Sequence, residues 1–492
     1  MTNSPAGDQQ PISDRQKWQA FAVCVAVAAF TIIDISKVNL GLPSIERSLG
    51  AGPSQLQLIV AGYALAYGLG LAPSGRLGDI HSRKTMFLIG LGGFTAASVV
   101  CALAPNITVL LVARIAQGLA AGVQMPQVLG LIQQLFQGEA RSRAFGIFGG
   151  AVGIGTATGP VIGGALVFLG GEDFGWRLLF WFNVPLGIVA MILAWRLVPT
   201  RQRRERDRLN LDLFGVLLLG LTVLTLMLPF VLTTGGPSDD PRRWFLLLAT
   251  AALLPSFILW EREYRRRGKT PLLQFALFRL DSYRNGLLVV SAYYAALPSA
   301  FLLVALFLQQ GLGINPLIAG LATLPYTLAQ AVTAFFGGRY IHLHGRRMIV
   351  TGISIVMLGF VLNLIFVLSL PAELQLWFIA GAMAISGAGS GFVVSPNQAS
   401  TLQDVPVAQA GVAGSLSQVG QRIGNSIGFA AVISTFYSTI YRETGTIEEF
   451  ATYVDGFRNA LLVVLGLFGL ALVAAIIDLG GHRKRLRSAL TE

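Results

Sequence analysis

Charge is scarce in this chain. Only 12% of its 492 residues are Asp, Glu, Lys or Arg, about half the 25% usual in soluble domains. Mean hydropathy is +0.65, and apolar runs long enough to cross a ~30 Å hydrocarbon core recur throughout. Together these exclude a soluble globular protein. Strand-like alternation is absent, which excludes an outer-membrane barrel, and backbone in lipid must satisfy its own hydrogen bonds, so the runs are helices. The two cysteines, Cys24 and Cys101, both fall inside apolar runs and read as small core residues, not a disulfide. The four histidines, His81, His342, His344 and His482, lie between or beyond the runs with no acid or cysteine beside "HLH", so no metal site is expected. No Gly-rich phosphate loop of the P-loop kind occurs, which argues against ATP hydrolysis in this chain. The polar N-terminus lacks a short apolar stretch with a cleavage site; no signal peptide is expected, and the first run is itself the insertion signal.

What is present is a series of fourteen expected spans, at 18–42, 54–74, 85–104, 108–135, 143–168, 177–197, 211–233, 243–261, 285–309, 316–337, 348–370, 374–400, 408–437 and 457–479. With the N-terminus inside, 27 of the 36 Lys and Arg fall on the cytoplasmic side, six fall outside, and Lys37, Arg114 and Arg422 lie within spans. Positive-inside therefore puts both termini in the cytoplasm. The net charge of +12 resides in loops and points to no nucleic acid. The basic runs "RQRRERDR" (Arg201–Arg208) and "EREYRRRGK" (Glu261–Lys269) read as topology signals on solvated linkers, with anionic lipid headgroups as the other reading. They divide the chain into a tail at 1–17, six helices over 18–198, a linker at 199–284 holding an extra pair, six helices over 285–479, and a basic tail at 480–492.

The halves repeat. "GRLGDIHSRK" (Gly75–Lys84) and "GRYIHLHGRR" (Gly338–Arg347) align without gaps, each between the second and third helices of its half. Two halves of like topology are a transporter signature, with the substrate site between them near the midplane.

Several stretches then coincide with a known pattern. "GRLGDIHSRK" resembles the loop motif of the major facilitator superfamily, with Asp79, Arg83 and Lys84 at its charged positions and Gly75 opening it; Ser82 replaces the usual glycine. "RIAQG" (Arg114–Gly118) looks like its intramembrane arginine motif, and "GTATGPVIGG" (Gly155–Gly164) like its antiporter motif. "DISKVNLGLP" (Asp34–Pro43), "WRLLFWFNVPLG" (Trp176–Gly187) and "LQQGLGINPLIAG" (Leu308–Gly320) are similar to signatures of the fourteen-helix drug:proton antiporters. The resemblance covers nearly the whole chain. It implies alternating access, proton-coupled export driven by the proton-motive force with no cofactor, and Arg114 as partner of the first-helix acid or of backbone carbonyls. Two positions depart from the pattern: Lys37 stands where an aliphatic residue is usual, and His342 stands where the second half would match Asp79.

Of 24 acids, only Asp34 sits well inside a span; Asp212 and Asp478 lie at span ends. A proton-coupled carrier needs a group that gains and loses a proton at depth, and burial and a neighbouring cation push a carboxyl in opposite directions. Asp34 is therefore the candidate proton carrier. Lys37, three residues on, shares its face, and a static ion pair remains the alternative. Arg114 cannot give up its proton. Arg114, Gln117 and Gln124 fall in a stripe of roughly 80° on the helical wheel, and Ser415, Gln418, Arg422 and Asn425 in another. Lys37, Asn39, Gln117, Gln124, Gln418, Arg422 and Asn425 are the candidate substrate-cavity residues; interhelical hydrogen bonding is the alternative for these polar side chains. Asn397, Gln398, Gln309 and Gln310 are weaker candidates. Gly155, Gly159 and Gly163, spaced by four around Pro160 and followed by Gly164, mark a hinge or seal, or plain close helix packing.

One embedded acid against three bases points to neutral, zwitterionic or anionic amphiphiles over permanent cations. The partners expected are such a small molecule, protons and membrane lipid, with the chain acting as a monomer. An exporter of lipid or cell-envelope precursors on the same scaffold is the competing reading. An enzyme is not expected: no acid–base or nucleophile cluster stands at a membrane face.

Overall fold

The computed structural model describes residues 13–51, 53–80, 82–199, 212–233, 240–269, 271, 273, 275–337, 340–406, 409–443 and 449–491. Among them there is no strand, and the fold is all-α as the apolar runs require. The helices are α1 (Asp14–Leu49), α2 (Pro53–Ile80), α3 (Arg83–Ala102), α4 (Ile107–Leu135), α5 (Gly138–Trp181), α6 (Asn183–Leu197), α7 (Leu213–Val231) and α8 (Leu246–Arg266). After them come α9 (Asp281–Leu306), α10 (Pro316–Leu321), α11 (Leu324–Gly337), α12 (Ile341–Ser369), α13 (Ala372–Gly391), α14 (Val394–Thr401), α15 (Ala410–Glu443) and α16 (Glu449–Thr491). Among the described residues thirteen stretches are long and apolar enough to cross a membrane, and Leu58–Leu71 within the 28-residue α2 is a shorter fourteenth. The chain is a multi-pass membrane protein.

The fifth and sixth spans separate at Gly171, inside the gap expected between 168 and 177. The stretch α5 holds two helical parts divided at Gly171, whose φ of 71° suits only glycine: the fifth span is Gly138–Gly171 and the sixth is Phe174–Leu197. Between α5 and α6, Phe182 keeps helical angles (φ −55°, ψ −33°), and Pro185, which lacks an N–H, occupies the first turn of α6. This junction sets Asn183 at the head of α6, deep in the protein. The tenth and twelfth spans are each built from two helices, α10 with α11 and α13 with α14.

Helices α1 to α6 pack round one apolar core that includes Tyr63, Phe87, Phe94, Met125 and Phe145. Helices α9 to α16 enclose a second, with Tyr293, Phe307, Phe360, Phe436, Phe457 and Phe468. The bundles meet where α2 and α4 pack on α15, and α5 on α11 and α14. At one end the first core runs on into Leu402, Val405, Ala413 and Val419 of the second bundle, Gln133 Nε2 donates to Leu402 O at 3.2 Å, and Gly149 lies against Ser395.

The extra pair is asymmetric. Helix α8 packs on α7, while α7 lies against both α2 and α15. Its Met227 and Val223 cover Gly68 of α2, and its Leu218 clusters with Leu416 of α15. Two acids at the foot of this pair are buried: Asp212 accepts from Trp260 Nε1 at 2.7 Å and Gly215 N at 2.8 Å, and Glu261 from Leu273 N at 2.8 Å.

Candidate functional site

Asp34 lies on the face of α1 that meets α4 and α6, with no solvent exposure. Its Oδ2 accepts from Arg114 Nη1 at 3.1 Å. Its Oδ1 accepts from Asn183 Nδ2 at 2.6 Å and faces Lys37 Nζ at 3.4 Å. Lys37 Nζ also donates to Asn183 Oδ1 and sits 5.0 Å from the centre of the Phe182 ring. Arg114 donates to Gln117 Oε1 at 2.6 Å and to Ile59 O at 3.5 Å. Gln117 Nε2 reaches Ser98 Oγ at 2.8 Å, and Asn183 Nδ2 reaches the same oxygen at 3.2 Å. One acid and two bases are thus enclosed among five helices with a formal local charge of +1. Buried charges persist only when paired and hydrogen-bonded, and this network supplies both.

A second feature connects the cluster to the other bundle. The Arg114 guanidinium lies 4.2 Å over the Tyr63 ring. Tyr63 stacks on Tyr67 at 6.3 Å, and Arg422 of α15 lies 4.4 Å over Tyr67. Two cations therefore bracket a pair of tyrosines one turn apart on α2, each cation held by a ring face. Arg422 is half-buried, and its Nε has no hydrogen-bond partner; Asn425 Oδ1, one turn on, has none either.

The structure brings Asp34, Lys37, Arg114 and Gln117 together. Gln124 stands apart from them, donating to Thr31 Oγ1 at 2.7 Å with its Oε1 unpartnered. Gln418 is buried on α15 with Arg422 and Asn425 on the same helix. Gln309 and Gln310 are exposed, whereas Asn397 and Gln398 are buried in α14. The side chains of Asn39, Asp79 and Pro160 lie outside the described residues, as do Arg201–Arg208 and His81. Gly75 is buried within α2. Arg83, at the start of α3, donates to Gly130 O and to Gln134 Oε1 at 3.3 Å, and Lys84 Nζ to Trp195 O at 2.6 Å, so the loop motif fastens α3 to α4 and α6. In the second half Arg346, the counterpart of Arg83, pairs with Asp478 of α16 at 2.8 Å, and Asn285 of α9 joins the same carboxylate at 3.2 Å.

The glycines of the antiporter motif face α1. A Cβ on Gly155 would stand 2.9 Å from Ala29 O, one on Gly159 would strike Ser36, and one on Gly163 would stand 2.8 Å from Lys37 O. They allow the two backbones to close within the first bundle, while Gly164 is half-buried beside them. The inter-bundle contacts of α5 come from Gly149, against Ser395, and from Gly150 and Gly153, against Ala331 and Gln330.

Sequence reasoning missed Asn183, Ser98, Tyr63, Tyr67 and Asp478. Asn183 carried a usable signal, a lone amide in the apolar stretch "WFNVPLG". The tyrosines carried none that separated them from core aromatics.

A helical carrier of two bundles, with a sealed cluster of charge in one of them, is the class these features define. The chain belongs to the Major Facilitator Superfamily, whose profile matches residues 20–429 and 286–490. It is 32% identical over 440 residues to a protein named probable actinorhodin transporter of Streptomyces coelicolor, covering 89% of this chain and 75% of that protein. It is also 32% identical over 404 residues to the multidrug resistance protein Stp of Mycobacterium tuberculosis, covering 81% of this chain and 72% of that one. Among solved structures, the proton:xylose symporter XylE superposes with a TM-score of 0.65 over 94% of this chain and 95% of that chain, at 14% identity, a likeness of fold.

Proposed function

We propose that this transporter exports amphiphilic small molecules, such as drugs, antibiotics or metabolites, in exchange for protons. The exchange runs by alternating access between the bundles at 18–198 and 285–479, across the bacterial inner membrane, with both termini in the cytoplasm. The observation that carries the reading is the hydrogen bonding of Asp34. Each of its partners, Asn183 Nδ2, Lys37 Nζ and Arg114 Nη1, is a donor, so the arrangement suits the carboxylate alone. Taking up a proton must displace a donor, and a displaced Arg114 must move within a network that ties α1 to α4. The names of the actinorhodin and multidrug relatives support drug-like cargo. The proton-motive force suffices as energy source, each charge moved being worth about 2.3 kcal/mol per 100 mV, so no cofactor is required. The unit of transport in this reading is the monomer.

Neutral, zwitterionic or anionic cargo is favoured over permanent cations. Arg422 supports this, because it is half-buried with an unpartnered Nε and its guanidinium over the Tyr67 ring. An anion could accept from the guanidinium, whereas a cation would meet like charge. Inverted vesicles energised to an acid interior test the coupling. Substrate-evoked collapse of the gradient is expected in the parent and lost in Asp34→Asn with binding retained; Lys37→Ile should move preference towards cations. Collapse that persists undiminished in Asp34→Asn would end the proposal.

A further inference from the structure

We propose that Asn183 is a positioning residue that directs the transported proton to a single oxygen of Asp34, Oδ2, so that proton binding and release of Arg114 are one event. The inference rests on Asp34 as proton carrier and deepens that reading.

The two carboxylate oxygens are not equivalent. Oδ1 takes the Asn183 N–H at 2.6 Å and faces the Lys37 ammonium at 3.4 Å; Oδ2 is held by Arg114 alone, at 3.1 Å. Asn183 cannot exchange its two ends. Its Oδ1 accepts from Lys37, and its Nδ2 contacts Ser98 Oγ, whose own hydrogen goes to Phe94 O at 2.8 Å. Turning the amide over would set an NH2 against the ammonium and a carbonyl against the carboxylate, two donor–donor or acceptor–acceptor clashes in place of two hydrogen bonds. The cap on Oδ1 is therefore fixed for as long as Lys37 is charged.

Arg114 is held differently. Its guanidinium already has Gln117 Oε1, Ile59 O and the Tyr63 face within reach, so it can leave Oδ2 without being stranded. A proton arriving from solution forms an O–H bond at Oδ2. The Arg114–Oδ2 hydrogen bond breaks, Oδ1 becomes the carbonyl oxygen and keeps the Asn183 hydrogen bond, and the local charge rises by one. The ionisable groups facing this pair are Lys37 from α1, Arg114 from α4, Tyr63 from α2 and Cys101 from α3, the last through Gln117. The link broken is the charged one between α1 and α4, with Gln124 still donating to Thr31 Oγ1, while Asn183 keeps α1 attached to α6 and α3. Proton uptake is thereby converted into a change at one particular helix contact.

Infrared difference spectra of the reconstituted protein between high and low pH read this directly. The parent should show a carboxylic C=O band, lost in Asp34→Asn, at the low frequency of a carbonyl that accepts a hydrogen bond. In Asn183→Leu the band should shift up, because Oδ1 has lost its donor, and Asn183→Gln should restore it in part. Asn183→Asp, the same shape with an acceptor in place of the donor, keeps the test alive where leucine prevents folding: the two carboxyls then share a proton, and the band should persist to higher pH. In the vesicle assay Asn183→Leu should bind substrate while moving fewer protons per substrate. A band that answers to Asp34→Asn but is unmoved by both Asn183→Leu and Asn183→Asp overturns this inference and leaves Asp34 as carrier. Absence of any band lost in Asp34→Asn overturns both.

Discussion

Removing the acid and removing a base from the Asp34 cluster should have very unequal effects on stability. Asp34→Ala leaves Lys37 and Arg114 facing each other with 0% and 2% exposure, two cations with no counter-charge. Breaking a buried pair in this way costs about 3–5 kcal/mol. Lys37→Met instead leaves Asp34 paired with Arg114 at 3.1 Å and capped by Asn183 at 2.6 Å, and the cluster becomes neutral. What is lost is a Coulomb attraction of about 5 kcal/mol at 3.4 Å, taking an effective dielectric constant of 20. Against it stand several kcal/mol of ammonium desolvation and repulsion from Arg114. These terms cancel, and the net change should lie within about 1 kcal/mol of the parent. In Asp34→Ala/Lys37→Met the cost should fall well below that of Asp34→Ala alone, because only one cation is then unpaired. Equilibrium unfolding in mixed micelles measures all three. Equal destabilisation by Lys37→Met and Asp34→Ala would refute the charge balance on which this reasoning depends.

Three further outcomes are expected. Arg422→Gln removes the cation over Tyr67, so efflux of an anionic aromatic compound should fall relative to a neutral one of the same size, read as a change in the ratio of the two transport rates. Gly159→Val puts carbon into Ser36 and against Ile33 O at 3.3 Å; overpacking of this kind costs about 1–3 kcal/mol, and a lower melting temperature in detergent with the helix content retained is the sign to look for. Asn363 is fully buried in the second bundle with neither end of its amide hydrogen-bonded. Asn363→Leu, similar in volume and wholly apolar, should therefore stabilise by about 1–3 kcal/mol, and a melting temperature equal to or below the parent's would show that the amide has a partner or a task.

The spans and the central charge pair were legible because both rest on strong, local signals. An apolar run of twenty residues has few alternatives, and an ionised group inside one is costly enough to announce itself: Asp34, Lys37 and Arg114 were found on that ground alone. What escaped was information carried by geometry between helices. Asn183 reads as one weakly polar residue in an apolar stretch, and only the packing of α6 on α1 sets it against Asp34 and Lys37. Tyr63 and Tyr67 read as core, and no one-dimensional pattern says that each lies under an arginine from another helix. The spacing of Gly155, Gly159 and Gly163 points to a hinge, a seal or a close neighbour without naming the neighbour, which in the structure is α1 of the same bundle. Likewise His342 suggested a second half without its acid, when Asp478 supplies one to Arg346 from a helix far along the chain.

The seating of α7 has a mechanical consequence. Met227 and Val223 rest on one bundle and Leu218 on the other, so any tilt that parts α2 from α15 must slide this helix over at least one of its supports. In water such sliding would be resisted by the exposure of apolar surface. In a bilayer the acyl chains that move in are as oily as the side chains they replace, and only the quality of packing changes. A seam lined with leucine and valine is therefore firm against ions and water yet yields sideways at little cost, which are the properties of a sliding gasket.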